Sequence, residues 1–231
     1  MARTALQIVR AAATKLGIDQ PDVLFTATDR TEIELRQALI EASDKILHMH
    51  DWQALRTVVT HDGDGSTTQF ALPSDYIRMP KDARVWSTKW QLTLHHITPE
   101  EWLNLDVREF ELARGTWTIY GGNFVYKPAL DADEDAKFWY ISRNVVLGSD
   151  QVAKEEFSAD DDTYKLDDRV LELVLVWVWR QQKGLDYAEE MQTAEYAVSR
   201  AMARDGGARI LTQSSRSGYN AETAYPIRVE P

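Results

Sequence analysis

The chain has 231 residues, a formal net charge of -11 and no cysteine. That length can bury a substantial core. The missing thiols exclude a disulfide framework, a thiolate zinc site and a cysteine nucleophile, and they fit a reducing cytoplasm. A 44% hydrophobic content with eight tryptophans excludes a disordered chain; the acidic balance argues against a surface that grips phosphate, and suits either plain solubility or a channel through which DNA slides without sticking.

The first helix is expected over residues 3–16. Ala5, Val9, Ala12 and Leu16 recur at helical spacing, Gly17 stands at the C-cap, and Pro21 lies beyond. Gln7 and Arg10 break the apolar run that a secretory signal would need. A second helix starts at Asp29, with Glu32 placed for a capping box, and carries Leu35, Leu39, Ala42, Ile46 and Met49 on one seam. From Thr57 the period changes to that of strands. Residues 57–59 and 69–72 read as two strands around the turn-rich Asp62-Gly63-Asp64-Gly65-Ser66, where a hairpin turn is a better account than a calcium loop. Further strands are expected at 83–86, 92–97, 116–120, 124–127 and 137–141, with Gly121-Gly122-Asn123 as a hairpin turn. Thr98 and Pro99 start a short intervening helix.

An acidic connection over 155–168 leads to Asp167 or Asp168 as cap of a third long helix, through Lys183 and ended by Gly184. Residues 170–179 are apolar on nearly every face, which predicts a central buried helix, too short to span a membrane. The last helix, over 186–204, has Tyr187, Met191, Ala194, Val198 and Ala201 on one seam and closes at Gly206-Gly207. Residues 208–231 show no sustained period and read as an extended tail, either a disordered terminus or an arm whose spaced anchors order on a partner. The whole is an α+β fold: about four helices in a bundle at the two ends, an inserted antiparallel β region, and an extended C-terminal tail. In residue numbers, 1–56 and 163–207 form the bundle, 57–162 the β region and 208–231 the arm.

Chemistry has little to work with. His48 and His50 sit two apart on a helix and His95 and His96 are neighbours on a strand, so neither pair shares a face for a metal. The acidic groups at 131–135 and 160–162 could bind a divalent cation or be paired as catalytic carboxylates, but solvated loops are the better account of them. No Walker loop, dinucleotide fingerprint, nucleophile elbow or zincin motif occurs. Neither catalytic residues nor a cofactor or metal is expected.

Several segments in order carry a resemblance: Asp51-Trp52-Gln53-Ala54-Leu55, Leu72-Pro73-Ser74-Asp75-Tyr76-Ile77-Arg78, Ile97-Thr98-Pro99-Glu100-Glu101-Trp102 and Tyr140-Ile141-Ser142-Arg143-Asn144. They are followed by FSADDDTYKLDD over 157–168, by 177–180, and by Lys183-Gly184-Leu185-Asp186-Tyr187-Ala188-Glu189-Glu190. Over about residues 1–207 the chain resembles the head-to-tail adaptor, or connector, proteins of tailed bacteriophages. The resemblance implies a virion protein of the neck: a homo-oligomeric ring, usually of twelve copies, seated between the portal protein and a tail or nozzle protein. DNA would pass through its channel without sequence-specific binding, and no membrane is involved. A C-terminal arm gripping the portal would place Arg209, Ile210, Leu211, Arg216, Tyr219 and Tyr225 at that contact. Asp131, Asp133, Glu134 and Asp135 are expected to line the channel. A different neck or tail-tube subunit, or a cell-wall hydrolase, is the competing assignment. The tryptophans at 86, 90, 102, 117 and 139 fit cores and interfaces equally at this point.

Overall fold

Thr4 opens the chain's first helix through a capping box with Gln7, and Gly17 closes it in the left-handed conformation at φ 70°, giving α1 (Ala5–Leu16). The structure, a computed structural model, describes residues 2–109 and 115–206. Over them the fold is mixed α+β, with five α-helices and three sheets. The other long helices are α2 (Arg30–Met49), α4 (Asp168–Gln182) and α5 (Ala188–Asp205). α4 packs against α1, α2 and α5, which explains an apolar pattern on nearly all its faces. Asp167 caps it, accepting from the Arg169 and Val170 amides.

At α2 two expectations change. Asp29 is the N-cap residue but its side chain makes no capping bond. Met49, placed on the buried seam by spacing, is 38% exposed because the helix ends there. Trp52 takes the inward position instead, with its indole N–H donating 2.8 Å to the Ile46 carbonyl.

The β part is a sandwich of two sheets. One has the order β1-β9-β4-β5, with β3 also on β9; the other runs β2-β8-β7-β6. Their strands are β1 (Arg56–Asp62), β2 (Gln69–Ala71), β3 (Tyr76–Arg78), β4 (Trp86–Ser87), β5 (Leu92–Thr93), β6 (His95–His96), β7 (Thr116–Tyr120), β8 (Asn123–Lys127) and β9 (Asp135–Ser142). Between β6 and β7 lies α3 (Pro99–Val107), opened by a Thr98 and Glu101 capping box. The β7–β8 hairpin turns on Gly121 and Gly122, both with positive φ, as a two-residue turn requires. All pairs are antiparallel except β6 with β7, which is parallel.

The loop at 62–66 is not a hairpin. β1 pairs with β9 and β2 with β8, so this loop carries the chain from one sheet to the other. Gly63 and Gly65 donate their amides to the carbonyls of Glu134 and Leu130, and a side chain at Gly63 would collide with the carbonyls of Asp131 and Glu134. The chain running into and through the acidic connection also holds a third small sheet that periodicity did not announce: β11-β10-β12, from β10 (Val146–Leu147), β11 (Ala153–Lys154) and β12 (Thr163–Tyr164). Val145, Val146, Phe157 and Tyr164 pack into the helical core, so residues 145–164 sit with the helices.

Two apolar clusters result. The first joins the four long helices, the small sheet and Ile141. The second lies between the large sheets and contains Trp117, Phe124, Tyr126, Ala136 and Phe138. His61, only 6% exposed, sits in the second: its ring stacks on Phe70 at 4.6 Å and its Nδ1 lies 2.9 Å from the Tyr126 hydroxyl. Burial pushes its pKa down to about 4 against an opposing pull from Asp62. The unfolded chain, with an ordinary histidine near 6.5, therefore binds the proton more readily, and stability falls as pH drops from about 6.5 toward 4. The full loss from this group is ~3 kcal/mol. Urea unfolding between pH 7 and 5 should show that decline in the wild type and a flatter profile in His61→Gln; equal slopes would contradict it.

Candidate assembly surfaces

Side chains from three of the quoted motifs meet at the junction of the helices and the sheets. Arg78, at the end of β3, donates to Asp51 at 2.9 Å and to the carbonyls of His50 at 2.8 Å and Leu47 at 3.3 Å. It thereby satisfies the orphan carbonyls where α2 ends. Asp51 also accepts from the Lys81 amide; burial opposes its ionisation, but the Lys81 and Arg78 hydrogen bonds hold its pKa below the ordinary value. Three residues upstream of Arg78, Asp75 accepts from Tyr140 at 2.8 Å and Ser142 at 2.5 Å, tying the loop to the end of β9. The last helix joins the same place: Asp205 accepts from the Gln53 amide at 2.9 Å, just before β1.

The acidic stretches behave differently from one residue to the next. Asp131 and Asp133 are exposed and share Lys89, at 2.6 and 2.9 Å. Glu134 is 5% exposed and accepts from the Ser87 hydroxyl, so it points into the subunit and lines no surface. The expectation that it faces the channel is therefore corrected: its register next to β9 turns it toward β4, while Asp131 and Asp133 stay outside. Asp135 begins β9 opposite Asp62. In the other stretch, Asp160 accepts from the Leu24 and Phe25 amides at 3.0 and 2.9 Å. Asp162 is fully buried and bonds to Lys154 at 2.8 Å and to the Ser158 and Ala159 amides. A solvated loop does not describe these two; they staple α1 and the loop after it to the small sheet. Glu172, buried inside α4, is held by Arg3 at 2.7 Å, Lys15 at 2.6 Å and Arg169 at 2.5 Å. Burial works to raise its pKa, and the Lys15 and Arg3 hydrogen bonds outweigh it.

The tryptophans divide as well. Trp117 is buried between the sheets, whereas Trp86, Trp90 and Trp139 are about half exposed. In β9, Ala136, Phe138 and Tyr140 point inward, so Lys137 and Trp139 occupy the outer face. Val58 lies opposite Trp139 and Trp86 opposite Lys137, which puts Val58, Trp86 and Trp139 together on that face. Sequence spacing missed this surface, although the out-of-phase Trp139 was its signal. On the other side of the sandwich, α3 lies against β7. Trp102 meets Tyr120 at 6.2 Å between rings, and Asp106 pairs with Lys127 at 3.1 Å. Leu103 and Val107 of α3 point away from it, 55% and 76% exposed.

The family model of the SU10 adaptor protein matches residues 3–228. The chain belongs to this family. The match spans both the helices and the sandwich, and it covers every motif quoted above. No curated protein matches the chain. An SU10 adaptor is a structural component of the phage virion, so the surfaces to understand are those that meet other structural proteins. Among the described residues no helix is long and apolar enough to cross a membrane, and no group of three or more His, Asp or Glu is arranged to hold a metal ion. The six arm residues, Arg209, Ile210, Leu211, Arg216, Tyr219 and Tyr225, lie outside the described residues.

The split within the acidic stretch can be measured. Asp133→Ala should change stability by less than about 0.5 kcal/mol, as exposed substitutions do. Glu134→Ala leaves Ser87 buried without its acceptor and should cost about 1–3 kcal/mol. Chemical denaturation of both variants checks the order; equal effects would contradict the inward placement of Glu134.

Proposed function

We propose that this adaptor forms a ring, of twelve copies, between the portal and the tail or nozzle protein in the neck of the virion, and continues the DNA channel without catalysis. The observation that carries this reading is the family match over nearly the whole chain, helices and sandwich together. In this reading α1, α2, α4 and α5 form the bundle of each subunit, the two large sheets form the inserted region toward the tail, and residues 208–231 form the arm. Arg209, Ile210, Leu211, Arg216, Tyr219 and Tyr225 of the arm grip the portal. Asp131, Asp133 and Asp135 face the lumen, where like charge keeps packaged DNA from adhering. The net charge of -11 supports that role and also opposes spontaneous closure of a ring of free subunits.

The protein should be monomeric at micromolar concentration and form rings when portal rings of the same phage are added, read by ultracentrifugation and electron microscopy. Closed rings without portal would refute the need for a template. Long tubes would favour a tail-tube subunit, and no assembly on the portal would refute the reading. A chain ending at Gly207 should keep the melting temperature of the full protein and lose capture by portal rings; undiminished capture would remove the arm from the account.

A further inference from the structure

Building on the ring reading, the geometry points to a specific contact between copies: the ridge of α3 on one subunit covers the bare outer face of the β1-β9-β4 sheet on the next. The two large sheets pack face to face around Phe124 and Phe138, whose rings are 4.2 Å apart, so each sheet has one outer face. On the β8-β7 sheet that face carries Thr118, Tyr120, Val125 and Lys127, opposite in phase to the inward Trp117, Phe124 and Tyr126. α3 of the same subunit lies over it, through Trp102 on Tyr120 and Asp106 on Lys127, and Thr118 and Val125 are 1% and 2% exposed.

The other sheet has no such cover among the described residues. Val58, Trp86 and Trp139 are 48%, 51% and 48% exposed on one face, a grouping of large apolar side chains that monomers seldom leave in water. The matching element is on the far side of the same sandwich. α3 has no buried residue, and its outward stripe sets Leu103 and Val107 four apart, one above the other. A bare sheet on one side and a bare helical ridge on the other cannot meet within one molecule. They can meet between molecules that repeat head to tail, which is the contact a ring requires.

Charge selects the same occupant. The outer sheet face carries Arg56 and Lys137 together with Asp62 and Asp135 at its far end, and Glu100 stands on the α3 stripe; Lys137 adjoins Trp86 and Trp139, and neither it nor Glu100 forms an ion pair among the described residues. Opposite charge fixes register at such a contact. Tryptophans beside Lys137 could also stack nucleic-acid bases, but a sheet face that also carries Asp62 and Asp135, in a chain of net charge -11 whose α3 stripe sets Glu100 beside Leu103 and Val107, favours a second copy of itself.

The absence of cysteine makes the test clean. The double variant Leu103→Cys with Trp139→Cys is oxidised both on portal rings and free at high concentration, then run on a denaturing, non-reducing gel. A covalent ladder extending beyond dimer is expected in both, and neither single variant should give it. Dimers alone would indicate a two-fold contact and overturn the inference. Rings on the portal without a ladder would overturn the inference and leave the ring reading intact. A ladder from free protein that never binds the portal would support the contact and remove the portal reading. As a check that needs no new thiol, Glu100→Lys and Lys137→Glu should each lower ring yield several-fold and restore it when combined; failure of the pair to recover overturns the proposal. So would quenching of the tryptophans by a single-stranded oligonucleotide with no change in subunit association.

Discussion

The Arg78 guanidinium decides how the two halves of this protein sit on each other. One side chain from the end of a sheet strand caps the last carbonyls of α2 and pairs with Asp51. Each helix end carries carbonyls that need partners, and here the sheet supplies them. The apolar clusters meet at the same place: β9 contributes Ala136 and Phe138 to the core between the sheets and Ile141 to the core of the helices. With Asp75 holding the end of β9 and Asp205 holding the start of β1, four separate stretches of chain converge within one junction.

The polar contacts of the junction are internal to the subunit. Carboxylates that shape the subunit, Asp160, Asp162, Glu172 and Glu134, are turned inward and bonded; those that remain outside, such as Asp131 and Asp133, contribute to the surface field. The same division holds for the tryptophans. Trp117 and Trp52 belong to cores, while Trp86 and Trp139 share an outer face. Composition alone gives both groups the same letters, and only register separates them.

The helices were legible in the sequence because caps and long seams reinforce each other. Thr98 with Pro99, Asp167 before Val170, and Gly17 after Leu16 all stand where the chain places them. The Gly121-Gly122 hairpin was equally plain, since positive φ at two successive residues leaves few alternatives. What could not be read was pairing between distant strands. Nothing local tells β1 to choose β9 rather than β2, so the loop at 62–66 looked like a hairpin. The two-residue strands β10 to β12 are too short to show a period, and they owe their existence to α1 and to Asp160 and Asp162. Glu134 looked like its acidic neighbours because its burial follows from a hydroxyl 47 positions away. The family resemblance, by contrast, was carried in part by residues that the fold uses at its junction: Asp51, Trp52, Asp75, Arg78 and Ser142.

If the Arg78 junction makes one mechanical unit of two apolar cores, helix and sheet should unfold together. Far-ultraviolet circular dichroism follows mainly the helices, and fluorine NMR of fluorotryptophan-labelled protein, read at the Trp117 resonance, follows the aromatic core between the sheets. The account predicts coincident midpoints for the wild-type protein and separated midpoints for Arg78→Ala, with the mutant's first transition lowered by about 2–4 kcal/mol. Coincident and unshifted midpoints in Arg78→Ala would contradict it.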